Sequence, residues 1–225
     1  MTKEVREVNS SSRKLILSGW FLIRNPRFSF SSLRLQKFLF FYEMMSKVEG
    51  EPFELDYLKA YPNGPVFSTV YGDFKYEGAI FQKRSMEAYS VGASEISMSR
   101  AQKAEFLVRI LSEKELSDLT HGFDMWRIHE TKIKAGFTRI PMMEADFTLH
   151  DKQYIENLLA MYPLDYINSV ELFFHNNKCF VLPKGDMEKL TEQQEEVLYT
   201  LAYRDDLENP IFVEIDEDGA VLVLD

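Results

Sequence analysis

The side chains with the greatest capacity for chemistry in this sequence are His121 and His129, which lie eight residues apart. Asp124 and Glu130 lie close to them. A zinc site on one helix needs two histidines four residues apart on the same face, and Gly122 interrupts the helix between this pair. The pattern therefore favours ordinary polar histidines, and we expect no bound metal.

The single cysteine, Cys179, is a second candidate centre. His175 lies across a predicted hairpin turn from it, so a thiol–imidazole dyad of a hydrolase is one interpretation. A catalytic thiol needs an electropositive and exposed setting, whereas Cys179 stands in an apolar strand, where a buried structural cysteine is favoured. The sequence also contains no glycine-rich phosphate loop and no Gly-x-Ser-x-Gly motif. We therefore expect no enzymatic activity and no cofactor.

Two cations, Arg34 and Lys37, lie one turn apart on a segment that is otherwise apolar. On a buried helix such side chains must reach solvent or meet carboxylates. They can form a strip that binds an anion or a partner, or they can be a snorkelling pair, and the sequence favours neither. Trp126 offers a similar choice between the edge of the core, which we favour, and the anchor of an interface.

The overall charge limits the classes of partner. The 225-residue chain has a formal net charge of −10, which disfavours nucleic acid and an anionic membrane surface as partners. A basic or hydrophobic protein partner remains. The N-terminus lacks the apolar region of a signal peptide, and the densest apolar run, Phe38 to Tyr42, is far too short to span a bilayer. We therefore expect a cytoplasmic protein.

Helical signals dominate residues 10–160. Apolar residues recur at helical spacing from Ser10 to Ile23. The next helix, which Ser31 or Ser32 can cap, is apolar nearly all round, as is typical of a helix in the middle of a bundle. Later helices are predicted to begin after four capping residues, which are Ser99, Ser112, Thr148 and Thr191.

The segment between the second helix and residue 97 is harder to interpret. Glu54 to Ala60 is predicted to be a short helix, and Pro65 fits the first position of the helix that follows a dense turn signal. Residues 77–96 are ambiguous between a loop and a short pair of strands.

The chain changes character in its last part. Alternating apolar runs on either side of turn signals predict one hairpin from Val170 to Leu182 and another from Ile211 to Leu224, with a helix between them. We expect the final strand to lie at a sheet edge. The predicted fold is therefore mainly α, a multi-helix globular domain over residues 1–163, with a small α+β extension of two β-hairpins and a helix over residues 164–225.

Three segments, taken together and in order, resemble one family. They are Leu33 to Phe41 (LRLQKFLFF), Tyr61 to Tyr71, with YPNGPV and a later VY pair, and Leu116 to Trp126, with LSDLTH before the tryptophan. They are similar to the Lys/Arg-Leu-Gln-Lys-Leu-Leu-Tyr-Tyr helix, the Tyr-Gly-Pro-Val…Val-Tyr segment and the Leu-Thr-His…Pro-Trp motif of the Panacea, or SocA-like, antitoxin domain family, which is common in bacterial genomes and prophages. In this chain Pro62-Asn63 enlarges the turn, and Asp124-Met125 replaces the usual Gly-Pro.

The resemblance implies a compact helical domain that neutralises a toxin encoded by an adjacent gene through direct protein–protein binding. One branch of the family instead acts as a proteolytic adaptor that delivers the toxin to a AAA+ protease. Many antitoxins also regulate their own promoter, so a DNA-binding autoregulator is a further alternative. The residues that we expect to contact the partner are Arg34, Lys37, Asn63, Gly64, Pro65, His121 and Trp126.

Overall fold

The structure, a computed structural model, describes residues 8–224. Helices, including short 3-10 turns, make up 59% of these residues, and strands make up 14%. The prediction of a mainly helical chain with a small amount of β structure near the C-terminus is therefore confirmed. Within the described part of the chain, no helix is long and apolar enough to cross a membrane.

The first two helices are α1 (Ser12–Arg24) and α2 (Ser32–Val48). Every residue from Leu35 to Ser46 is buried, because α2 is surrounded by α1 and by later helices. This agrees with the prediction of a helix in the middle of a bundle. The hydroxyls of Ser11 and Ser31 cap the two helices by accepting a backbone N–H from the first turn.

The segment after α2 differs from the prediction. Strands β1 (Leu58–Tyr61) and β2 (Gly64–Phe67) form an antiparallel hairpin, in which Ala60 pairs with Pro65. The predicted helix from Glu54 to Ala60 is wrong, and so is the prediction that Pro65 begins a helix. The physical reason is that strand pairing is non-local, so that burial and a partner strand override the weak helical preference of a short segment.

Three helices follow the hairpin. They are α3 (Ser68–Tyr76), α4 (Gly78–Gly92) and α5 (Met98–Ile110). The ambiguous segment is therefore mostly α4, which packs along the length of α1. The cap of α5 is Ser97, which accepts the N–H of Arg100, so the predicted start after Ser99 is wrong by two positions.

The remaining elements of the helical part are α6 (Glu113–His121), α7 (Asp124–Arg127), α8 (Glu130–Lys134), β3 (Ile140–Pro141) and α9 (Leu149–Met161). The capping boxes that begin at Ser112 and Thr148 are both formed. β3 pairs with β1 on the side opposite β2, which gives a small sheet of order β2-β1-β3. Strand β1 of the hairpin thus lies between β2 and β3.

The C-terminal part contains α10 (Leu164–Ser169), β4 (Val170–His175), β5 (Lys178–Pro183), α11 (Lys184–Met187), α12 (Glu192–Leu201), β6 (Ile211–Ile215) and β7 (Val221–Leu224). The two predicted hairpins, β4–β5 and β6–β7, and the helix α12 are confirmed. They join in one sheet of order β4-β5-β6-β7, whose central pair is parallel. The final strand lies at the edge, as expected.

Strand β5 joins the C-terminal sheet to the helical part. Successive side chains of a strand point to opposite faces. Cys179 and Val181 belong to the large core of the helical part, whereas Phe180 and Leu182 pack with Leu198 of α12 in a smaller second core. One face of the C-terminal sheet therefore packs against the helical part, and α12 covers the other face.

Candidate functional site

Six of the seven predicted contact residues lie around one turn, Pro62–Asn63, which joins β1 to β2. They come from α2, from the hairpin and from the segment of α6 and α7, the same three segments that carry the family resemblance. The six are Lys37, Asn63, Gly64, Pro65, His121 and Trp126. Residues that are far apart in the sequence thus form one site, which we call the turn site.

Helix α2 brings Lys37 to the inner side of the turn. Its Nζ donates a hydrogen bond to the backbone oxygen of Asn63. Gly64 has a φ of 98°, and the place that a Cβ would take is filled by Lys37 Nζ and the hydroxyl of Thr120. Only glycine fits this position, because it tolerates positive φ and has no side chain to displace the lysine.

His121 and Trp126 hold the turn from the other side. Their rings stack with centroids 3.7 Å apart and an interplanar angle of 17°. The indole Nε1 donates to the backbone oxygen of Tyr61 over 3.0 Å. Trp126 is 3% exposed, which agrees with the interpretation of a core-edge residue. The Nε2 atom of His121 is buried and has no hydrogen-bond partner within residues 8–224.

Lys37 is buried, and no carboxylate of residues 8–224 forms an ion pair with it. It is 1% exposed, and burial in this apolar setting lowers its pKa to about 7. Burial also lowers the pKa of His121, and the nearby Lys37 charge lowers it further. The Lys37 charge therefore disfavours protonation of His121, and the turn site loses positive charge as the pH rises through the pKa of Lys37, about 7.

A cleft of about 250 Å³ lies between the first turns of α2 and the hairpin. Its wall is fixed by Gln36, whose side-chain oxygen accepts the N–H of Phe67 over 2.8 Å, so that α2 and β2 are tied together. Tyr61 and Tyr71 line the opposite side. Gln36 is part of the motif that resembles the family, yet its spacing alone gives no indication of this structural role.

A group of tyrosines extends from this cleft across the hairpin and α3. The rings of Tyr61 and Tyr71 lie 6.1 Å apart, and Lys75 Nζ lies 5.5 Å and 5.4 Å from the ring centres of Tyr71 and Tyr76. Tyr57 and Tyr76 are 64% and 68% exposed. We call Tyr57, Tyr61, Tyr71 and Tyr76 the tyrosine cluster. The sequence analysis missed it, because the four residues share no helical or strand period.

Arg34, the seventh predicted residue, lies away from the turn site. Its NH1 donates to the backbone oxygen of Val108 in α5, and its guanidinium stacks over Phe28 at 4.3 Å. Arg34 and Lys37 therefore form neither a common strip nor a snorkelling pair. Residues three apart are neighbours on a helix surface, but the side chain of Arg34 extends toward α5 and that of Lys37 toward the hairpin.

The cysteine–histidine dyad is not formed. Cys179 lies opposite Phe174 in the β4–β5 ladder, whereas His175 lies opposite Lys178, so the thiol and the imidazole face opposite sides of the sheet. His175 contacts Tyr199 of α12 at a ring distance of 4.6 Å. Burial raises the pKa of the Cys179 thiol to about 12, which keeps it protonated.

One group with metal-ligand spacing occurs in the described chain, formed by Asp124, His150 and Asp151. The Asp151 carboxylate accepts the backbone N–H groups of Asp124, Met125 and Thr148 at 2.6–3.2 Å. Asp124 in turn accepts the hydroxyl of Thr148 over 2.9 Å. These two carboxylates thus join the starts of α7 and α9.

The lysine of the turn site gives a prediction about pH. Lys37→Met is expected to stabilise the protein at pH 7, and the difference from the wild type should shrink as the pH rises toward 9. The folded pKa of Lys37, about 7, lies below the value near 10.4 of an unfolded chain. Between these values the unfolded wild type binds more protons, so wild-type stability rises with pH by up to about 1.4 kcal/mol per unit.

The measurement is urea unfolding at several pH values between 7 and 9. The control is Lys83→Met, since Lys83 is 77% exposed on α4 and its removal leaves the turn site intact. A Lys37→Met difference that stays constant across this range would show that the lysine is solvated in the folded protein.

Comparisons of this chain with models of protein families, with curated proteins and with solved structures find no match. The family resemblance therefore rests on the three sequence segments alone. What the structure adds is their convergence at one turn.

Proposed function

We propose that this protein is an antitoxin that neutralises a cognate protein toxin by direct binding, and that the tyrosine cluster and the adjoining cleft form the contact surface. The observation that carries the proposal is the convergence of the three family-like segments at the turn site, beside exposed tyrosines. The turn site shapes the hairpin, and the hairpin and α3 together present the tyrosine cluster to a partner.

The composition of this surface supports binding to a protein. Tyrosine is enriched at protein interfaces and in binding hot spots, because it buries a large rigid ring and keeps a polar tip. Tyr57 and Tyr76 expose most of their surface, and Lys75 lies over the rings of both Tyr71 and Tyr76. The cleft beside Tyr61 and Tyr71 can accept one side chain of the partner.

The charge of the chain suits a basic toxin. A formal net charge of −10 attracts a cationic partner over long distances and raises the rate of association. The same charge repels an extended polyanion, which makes regulation by direct binding to promoter DNA the less favoured alternative.

The geometry of the turn site supports binding rather than catalysis. Lys37 has the lowered pKa of a possible general base, but its Nζ is covered by Gly64 and donates to Asn63. Lys37 also lines the cleft, but only 1% of its surface is exposed, which limits the access of a substrate to its amine. The stacked pair of His121 and Trp126 holds the backbone at Tyr61 and Pro62 and makes an opening of the turn costly.

The test uses co-expression with the product of the adjacent gene and a binding measurement on the purified pair. The double variant Tyr71→Ala, Tyr76→Ala is expected to weaken binding by about 30-fold or more, as for the loss of an aromatic hot spot of about 2 kcal/mol. The matched control is Tyr203→Ala in the turn after α12, because Tyr203 is 68% exposed, the same fraction as Tyr76.

Three outcomes decide the proposal. If the neighbouring product is toxic alone and equally toxic with the wild-type protein, the antitoxin function is wrong. If neutralisation occurs but the tyrosine variant binds as tightly as Tyr203→Ala, the function stands and the assigned surface is wrong. If the toxin disappears from cells only when a AAA+ protease is present, the protein acts as a proteolytic adaptor and neutralisation by simple occlusion is wrong.

A further inference from the structure

A second and larger cleft, of about 750 Å³, lies between the helical part and the β4–β5 hairpin. Its wall contains five cationic side chains, and Glu113 is the one carboxylate among the residues described there. The five are Arg27, Arg34, Arg109, Lys114 and Lys178. In a chain with a net charge of −10, this concentration of positive charge is a local exception. We call it the arginine cleft.

Aromatic rings hold the three guanidinium groups in place. Arg27 and Arg109 lie 4.4 Å and 5.9 Å from the ring centre of Phe174, and Arg34 lies 4.3 Å from that of Phe28. The two rings meet edge to face at 6.1 Å. Stacking on an aromatic face fixes the plane of a guanidinium and leaves its N–H edge free to bind a ligand.

The charges of these arginines are only partly balanced by carboxylates of the described chain. None of the three forms an ion pair with a carboxylate of residues 8–224 within 4.0 Å. Glu113 lies in the same wall, and its Oε1 accepts the Ser31 hydroxyl over 2.6 Å. Burial lowers the pKa of Arg34, the charge of Glu113 acts against this shift, and the charge of Arg27 adds to it. An anion in the cleft would relieve this repulsion.

We propose that the arginine cleft binds a nucleoside phosphate, with the phosphate groups on Arg27, Arg34 and Arg109 and the base against Phe30. Guanidinium groups match the geometry of phosphate oxygens through paired N–H donors. Phe30 lines the same cleft and is 90% exposed, so its ring is open to stacking. The volume lies in the range of small-ligand sites, about 300–1,000 Å³.

The setting favours a single nucleotide over a nucleic-acid strand. A strand must track positive charge over several phosphates, and outside the cleft the chain carries an excess of carboxylates. All the phosphate groups of a single nucleotide, by contrast, can lie within the cleft. The site is also separate from the turn site, since Arg34 is directed toward α5 and Lys37 toward the hairpin. This proposal therefore does not depend on the antitoxin function.

The test is isothermal titration of the full chain with ATP, with inorganic phosphate and with a single-stranded thymidine decamer. ATP is expected to bind at least about tenfold more tightly than phosphate, because the base adds the contact with Phe30. Arg27→Gln and Arg109→Gln are each expected to weaken ATP binding about tenfold or more. Arg84→Gln, which removes the same charge from the exposed face of α4, should leave it unchanged.

Circular dichroism and thermal unfolding of each variant check that the fold is kept. The proposal is overturned if the folded wild type shows no binding of ATP at millimolar concentration, or if Arg27→Gln and Arg109→Gln bind ATP as Arg84→Gln does. Tighter binding of the decamer than of ATP would also overturn it and would identify the cleft as a nucleic-acid site.

Discussion

Replacing Glu43 with glutamine is expected to lower the free energy of unfolding by about 3–5 kcal/mol, the range for breaking a buried ion pair. Glu43 is 0% exposed in the centre of α2. Its carboxylate meets the ammonium of Lys14 and the guanidinium of Arg13, and it also accepts the N–H of Glu54 over 3.0 Å. Glutamine keeps the shape and removes the charge, so buried Lys14 would keep only the longer ion pair with Glu54, at 3.9 Å.

The control for this change is Glu87→Gln on α4. Glu87 also has two cationic partners, Lys83 at 3.8 Å and Arg84 at 3.3 Å, but it is about half exposed. Because solvent screens such pairs, this substitution should change stability by less than about 1 kcal/mol. Urea unfolding of both variants makes the comparison. Equal losses would mean that the Glu43 network is as well solvated as a surface pair.

The double variant Lys14→Met, Glu43→Gln should recover part of the stability that Glu43→Gln loses. Methionine fills the path of the lysine stem and has no charge to leave unpaired. The size of the recovery measures how much of the lost free energy of unfolding comes from the charge of Lys14 that has lost its partner Glu43. The remainder comes from the lost bonds to Arg13 and Glu54. No recovery would show that the lysine charge is not the source of the loss.

Replacing Gly19 with alanine is expected to destabilise the protein by about 3 kcal/mol, at the upper end for overpacking of a core. Gly19 lies on the face of α1 that packs along α4. A Cβ at this position would overlap the backbone oxygen of Ser85, and it would approach the Cβ of Tyr89 to 2.8 Å. The obstacle is backbone, which cannot move aside as the end of a flexible side chain can.

The matched control for Gly19 is Gly72→Ala in the middle of α3. A Cβ at Gly72 meets nothing within 4 Å. Alanine is a better helix former than glycine by about 1 kcal/mol, so this variant should gain stability. Thermal unfolding of the two variants should therefore shift in opposite directions. A loss in both would indicate that helix geometry, and not the contact between α1 and α4, makes the glycines necessary.

The helices could be predicted well where their signals are local. A serine or threonine cap acts within three residues of the chain, so Ser31, Ser112 and Thr191 could be identified from the sequence. The burial of α2 followed from apolar residues on all its faces. The two C-terminal hairpins were also predictable, because each has its turn residues between its own two strands.

The sequence-based predictions were wrong where a segment pairs with another segment that is distant in the chain. β1 is a strand because β2 and β3 flank it, and β3 comes from beyond α8. A local pattern cannot show such pairing, so the segment was assigned to a helix. The same limit affects α5, where two nearby serines compete for the cap and the packed structure selects Ser97.

The sequence by itself determined the helical class, most of the cap positions and the C-terminal hairpins, and it singled out the residues that lie at the turn site. Only the tertiary structure decided which of these residues meet. It placed Lys37 beside Asn63 and His121 and directed Arg34 into a separate cleft with Arg27 and Arg109. The physical reason is that capping and periodicity are short-range interactions along the chain, whereas a site is a set of long-range contacts that exists only after the elements pack.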